Sequence, residues 1–429
     1  MSGLKRRKRM TGMMNRAKVY IRELAERLEG LDKLTLTLAI ILFAIGIIMV
    51  YSITSISIYN GVNGDPSNIV IKTLIFGVIG LVAMIIILLI PYKWIKNLSV
   101  IAVVICPLLL LFTLMFARGS SSSDVRSWFE IGSIKIQPAE FVKIGMIMAI
   151  AWLFDKHAQK GVYYIRGYKK THWSIQRIWQ SFLGILIYVG LCSGLVLLQP
   201  DFGSSLIIGL IGLIMFLATG VQWKIFKPVF WIGVAGVLVV GLLAAKFFPY
   251  QLERFTIWAD PFNHPKGFQN VMGYTAIALG GLGGVGVGKS TQKYGYVLEP
   301  HNDMISTILA EELGVFVVFL IMVVYFIMAT RCFLTALRCK DRFSALVAVG
   351  VGAIFLAQPF INLGGASGAI PLTGVTLPLI SYGGSSLMSM FLGIGLYLNI
   401  SMEQFISTKR LKEQREQMIK TKVVPLIKE

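Results

Sequence analysis

The sequence predicts an all-α, polytopic membrane protein. Three observations carry this. The 429 residues are 55% hydrophobic with a mean hydropathy of +0.73. Apolar runs of about 18 or more residues recur along the chain, enough to cross a hydrocarbon core as helices. The alternation expected of barrel strands is absent.

The elements follow in order. Residues 1–32 form a basic segment with Lys5-Arg6-Arg7-Lys8-Arg9 near its start, and Arg16 to Leu28 has the pattern of an amphipathic surface helix. Ten spans are then expected at about 33–56, 68–91, 94–117, 139–156, 179–198, 202–220, 227–249, 303–330, 342–365 and 378–402, a membrane domain of 33–402. The first run is too long for a signal-peptide core and has no clear cleavage site, so it reads as a retained span. Residues 403–429 form a tail.

Charge sets the expected orientation. The net charge is +20, from 41 Lys+Arg against 21 Asp+Glu. Lys156, Lys160, Arg166, Lys169, Lys170 and Arg177 fall between spans four and five, and Arg331, Arg338, Lys340 and Arg342 between spans eight and nine. With the basic N-terminus inside, ten spans place these loops and the C-terminus in the cytoplasm as well. The same bias explains the excess charge without nucleic acid. Two long extracellular loops remain, about 118–138 and, between helices seven and eight, about 250–302. Structureless loops of such length are usually functional. The apolar, Gly-rich stretch Gly273–Gly288 is short for a span and reads as re-entrant or interfacial.

The chemistry-bearing residues concentrate around that loop. Glu299-Pro300-His301-Asn302-Asp303 leads into span eight, which then carries Glu311-Glu312-Leu313-Gly314. Carboxylates at a membrane boundary are costly, so a functional role is the default. Two readings stand for Asp303, a helix cap and a catalytic base. Glu312 points nearly opposite Asp303, and one of the two glutamates should bond a neighbouring span. Gln137-Pro138 opens span four with Glu140 and Lys143 at i, i+3, an expected ion pair. Gln199-Pro200-Asp201 marks the turn before span six, where Asp201 can cap. Pro359 should kink span nine. Ser381-Tyr382-Gly383-Gly384-Ser385-Ser386 opens span ten, as small residues for packing or as an anion site at a helix N-terminus.

Other motifs carry less. Gly283 to Ser290 matches the P-loop pattern but lies in an extracellular loop without the strand–loop–helix context, so no nucleotide is expected. The four histidines lack metal-ligand spacing, and Cys106, Cys192, Cys332 and Cys339 fit no zinc site or redox pair.

Taken together, the segments Arg126-Ser127-Trp128, Gln137-Pro138-Ala139-Glu140-Phe141-Val142-Lys143, Gln199-Pro200-Asp201-Phe202-Gly203, Tyr250-Gln251 with Arg254 and Asp260-Pro261, Glu299 to Asp303, Ala310 to Gly314 and Pro371 to Ser386 resemble those of the SEDS family (shape, elongation, division and sporulation) in content and order. The resemblance implies ten spans and peptidoglycan glycosyltransferase activity on lipid II outside the membrane. The family's essential aspartate falls on Asp303. Substrate-binding roles are expected for Arg126, Gln137, Glu140, Lys143, Asp201, Arg254, His301, Ser381 and Ser385. A divalent cation, Mg or Mn, is the cofactor expectation, its ligands unassigned. The partners implied are a class B penicillin-binding protein and other membrane proteins of the division machinery.

The chain departs from many members at Asn302, Met304 and Ser127. The last removes a second arginine before Trp128. The basic N-terminal extension and Asn362 to Pro371 are more similar to the septal branch, FtsW, than to the lateral-wall branch, RodA. A lateral-wall polymerase, a lipid II flippase and a division scaffold are the alternatives.

Overall fold

The structure, a computed structural model, describes residues 25–55, 66–117, 127–131, 134–157, 175–219, 227, 231, 249–297 and 300–426. Its described elements are α1 (Lys33–Thr54), α2 (Pro66–Leu89), α3 (Tyr92–Phe116), β1 (Phe129–Ile131), β2 (Ile134–Ile136), α4 (Pro138–His157), α5 (Ile175–Leu197), α6 (Phe202–Ala218), α7 (Pro249–Ala259), α8 (Phe268–Gly280), α9 (Ile305–Leu313), α10 (Val315–Arg338), α11 (Arg342–Ala366) and α12 (Gly384–Leu426). The two strands form an antiparallel hairpin with Glu130 opposite Lys135. Six of the helices, α1, α2, α3, α10, α11 and α12, are long and apolar enough to cross a membrane.

The bundle is organised around α11. Its side chains from Phe343 to Ala366 are almost all buried, whereas α2 and α3 expose Val78, Ile86, Val104, Leu108 and Met115 on their outer faces. Apolar residues facing outward suit lipid, and a central helix needs small residues so that neighbours can approach. Gly350 and Gly352 supply this, lying so close to Ile147 and Cys332 that an added methyl group would overlap them.

Polar contacts tie α1 to α10 at one end and to α9 at the other. Asp32 caps α1 through Thr35 and receives a forked pair of hydrogen bonds from Arg331, at 3.1 and 3.0 Å, and one from Tyr397 at 2.6 Å. At the other end Ser52 of α1 donates to Glu312 at 2.8 Å. A second cluster sits where α3 and α11 begin. There Lys96 bridges Asp155 and Asp341 at 3.0 and 2.9 Å, and Tyr92 also donates to Asp341.

Three expectations are corrected. The eighth span is not one helix from 303 to 330. It divides at Gly314, where φ is +88°, into short α9 and long α10. The last helix begins at Gly384 rather than 378, because Pro371–Gly383 is irregular, and it runs unbroken across the expected boundary at 402. At 1.5 Å per residue its 43 residues extend about 64 Å. The 250–302 loop is not structureless, since it contains α7 and α8. Pro359 lies within α11, which is continuous from Arg342 to Ala366. Most of the expected seventh span lies outside the described residues.

Candidate active site

Irregular backbone inside a membrane protein must have its polar groups satisfied by protein or water. The segment Pro371–Gly383 meets this with side chains from several helices. Arg254 of α7 donates from Nη1 to the Leu372 carbonyl at 2.8 Å. Asn362 of α11 donates from one Nδ2 to the Val375 carbonyl at 2.7 Å and the Asp303 carbonyl at 2.8 Å. Gln358, one turn earlier, donates to the Thr376 carbonyl at 3.0 Å. The Tyr382 amide donates to the His301 carbonyl at 2.9 Å, with the two rings edge to face. Tyr325 of α10 donates to the Pro378 carbonyl.

At the centre is Gly374, with φ +75°. The point where a Cβ would stand lies 3.8 Å from Arg254 Nη1 and 3.9 Å from Asp303 Oδ2. A cation and a carboxylate from α7 and the start of α9 therefore flank one exposed backbone step. The N-cap position of α9 falls on Met304, which makes no side-chain cap. Asp303 sits one residue before it, half-buried and facing Gly374.

The other expected site residues separate into two groups. His301 and Ser385 border the segment. Ser385 Oγ accepts the Gln137 amide at 2.9 Å, and Gln137 Nε2 donates to Asp201 at 2.7 Å. Asp201 also caps α6 by accepting from the Ser204 amide at 3.0 Å. Burial pushes its carboxyl above the usual range, against the hydrogen bonds from Ser204 and Gln137. Ser381 accepts from the Leu377 amide at 2.8 Å and closes a turn.

Lys143 is committed inside the bundle. At 1% exposed it donates to Glu140 at 2.9 Å and to Gln358 at 2.9 Å, while Ser389 donates to Glu140 at 3.1 Å. It therefore steadies Gln358 and Thr376 rather than presenting a free cation. Arg126 and Glu299 lie outside the described residues. The sequence offers Gln358, Asn362, Thr376 and Tyr382 only as members of longer motifs, without the hydrogen-bonding roles they have here. The available signal was an Asn and a Gln within an otherwise apolar helix.

Glu311 and Glu312 face elsewhere. Glu311 accepts from the Thr291 amide at 2.7 Å and from the Ser290 hydroxyl. Glu312 meets Lys293 at 2.6 Å and Ser52. The Gly-rich run beside them pairs its backbone with the helix break. Val285 and Gly286 donate to the Glu311 and Glu312 carbonyls, and Val315 donates to the Gly281 carbonyl. These bonds occupy the run that matched the P-loop pattern.

The family model described as Cell cycle protein, covering FtsW, RodA and SpoVE, matches residues 32–405. The chain is 34% identical over 404 residues to a probable peptidoglycan glycosyltransferase FtsW of Bacillus subtilis, covering 92% of this chain and 95% of that one. A chain solved in a study of the structural coordination of polymerization and crosslinking by a peptidoglycan synthase complex superposes with a TM-score of 0.69 at 25% identity, over 87% of this chain and 98% of that one. The rod shape determining protein RodA of Thermus thermophilus superposes with a TM-score of 0.61 at 22% identity, over 87% and 97%.

Proposed function

The chain belongs to the cell cycle protein family of FtsW, RodA and SpoVE, and we propose that it is a peptidoglycan glycosyltransferase that polymerises lipid II at the outer face of the cytoplasmic membrane during cell division. The naming of its relatives supports the activity and the division role. The observation that carries the site assignment is the convergence of the Asp303 carboxylate and the Arg254 guanidinium on Gly374.

The chemistry follows from these two groups. Chain growth forms a bond between a sugar 4-hydroxyl oxygen and the anomeric carbon of a polyprenyl-diphosphate sugar, and breaks the bond from that carbon to the diphosphate. The hydroxyl proton must leave as its oxygen attacks, and a carboxylate within hydrogen-bond reach accepts it. Asp303 takes that role as general base. The departing diphosphate carries negative charge away and needs positive charge placed where it develops. Arg254 supplies this, its position fixed through the Leu372 carbonyl. Gly374 has no side chain to separate the reacting groups. Arg126, outside the described residues, is a further cation candidate from the sequence.

A divalent cation belongs to the proposal in a limited form. Among the described residues no three His, Cys, Asp or Glu side chains are grouped to hold one. The fit is to Mg held by one carboxylate and the substrate's phosphates, which would add charge neutralisation at the diphosphate. A class B penicillin-binding protein is the proposed partner, and the septum the proposed location.

Polymerisation of purified lipid II by the wild type and by Asp303→Asn, each with its cognate partner, tests the reading. Glycan strands from the wild type and none from a folded mutant are expected. Strands from Asp303→Asn would remove the base assignment.

A further inference from the structure

Helix α9 carries Asp303 just before its first turn and Glu311-Glu312 in its last. At Gly314 the helical dihedrals are interrupted, so the direction of α9 is not inherited from α10. Something else must fix it. Backbone pairing with Gly281–Gly286 contributes, and so does a buried ion pair. Lys293 Nζ lies 2.6 Å from Glu312 Oε1, 3.0 Å from Ser52 Oγ and 3.3 Å from the Ser52 carbonyl. Both side chains of the pair are 0% exposed. Ser52 in turn donates to Glu312. One ammonium thus ties α9 to the far end of α1.

Such a pair is an expensive way to hold helices together, because apolar residues of similar volume are often as stabilising. What it adds is direction, since its hydrogen bonds fix an angle as well as a contact. The lever matters. Seven helical rises separate Ile305 from Glu312, about 10.5 Å with Asp303 beyond them, so a tilt of about 5° at one end moves the other by roughly 1 Å. A displacement of that size can cost about a hundredfold in rate.

We propose that Lys293, acting through Glu312 and Ser52, is a positioning residue that sets where the Asp303 carboxylate stands, an inference that rests on Asp303 being the general base. Lys293 touches no reacting atom. Its role is to hold α9 against α1 so that Asp303 meets the attacking hydroxyl.

The test uses the full-length chain with its partner and lipid II as substrate. The double variant Lys293→Met/Glu312→Leu removes both charges and leaves none buried alone. Melting temperature, kcat and KM are measured. The expected result is melting within a few degrees of the wild type, KM within about twofold and kcat lower by about 10- to 100-fold. A purely structural role predicts full kcat in a stable double variant, and that result overturns the proposal. If the double variant does not fold, Ser52→Ala decides, since it keeps the ion pair and the Lys293 bond to the carbonyl of residue 52 but removes both hydroxyl bonds that join α1 to the pair. A kcat loss of about threefold or more at unchanged KM supports the proposal, and wild-type kcat overturns it. Asp303→Asn runs alongside. Activity in that variant defeats the base reading, whereas an inactive Asp303→Asn with a fully active double variant defeats the positioning role alone.

Discussion

Replacing Gly314 with alanine should destabilise the protein through two separable effects. Gly314 has φ +88° and ψ 156°, a region essentially reserved for glycine that costs an L-residue about 1–3 kcal/mol. Its new Cβ would also lie 2.3 Å from the Leu282 carbonyl oxygen, 2.6 Å from the Gly284 nitrogen and 2.7 Å from the Gly283 carbonyl carbon. All three are backbone atoms of the loop packed against the helix break, so no side chain can rotate away. Overpacking of this kind costs about 1–3 kcal/mol. The sum is about 2–6 kcal/mol, or roughly 4–12 °C at about 2 °C per kcal/mol. Gly283→Ala is the control, because its Cβ would meet nothing within 4 Å and should change stability by less than about 1 kcal/mol. Both variants would be followed by thermal unfolding in one detergent at one scan rate. Equal melting temperatures for the two would refute the reasoning, because they would mean that neither the backbone conformation nor the close approach at the break matters.

Two further predictions concern buried charge. Lys143→Met leaves Glu140 buried without its cation and should cost about 3–5 kcal/mol, while Glu140→Gln/Lys143→Met should recover more than half of that loss in the same melting assay. Burial alone would raise the Asp341 carboxyl, but hydrogen bonds from Tyr92 and Lys96 outweigh it and hold it below the usual range. Its contribution to stability is then present above the unfolded value of about 3.9 and is lost as pH falls through the lower folded value. Melting temperature should hold steady from neutral pH to about pH 5 and decline below about pH 4, with a shallower acid limb in Asp341→Asn.

Much of the architecture is legible in hydropathy and charge. The Glu140–Lys143 pair is legible in its i, i+3 spacing, because one helix supplies both groups. The break at Gly314 was hidden by the apolar run on either side, although a glycine after Glu311-Glu312-Leu313 is a common helix-end signal. The length of α12 was hidden for a different reason. Hydropathy ends near 402, yet Lys, Glu, Gln and Arg continue a helix as readily as apolar residues do. The meeting of Arg254 with Asp303 was expected from the family resemblance but was not legible in spacing or hydropathy. The two are far apart in sequence and converge through a third, irregular segment whose path depends on Asn362 and Gln358.

That segment has a consequence for how the chain can vary. Between Pro371 and Gly384 the backbone is held at Leu372, Val375, Thr376, Pro378 and Tyr382 by groups from distant parts of the chain. A residue of extended chain advances about 3.3–3.6 Å, more than the reach of a hydrogen bond. One inserted or deleted residue would therefore put every later carbonyl out of step with its donor at once. Substitutions that preserve the backbone path are absorbed one at a time, but a change in residue count is not. The number of residues here is constrained as firmly as any side chain.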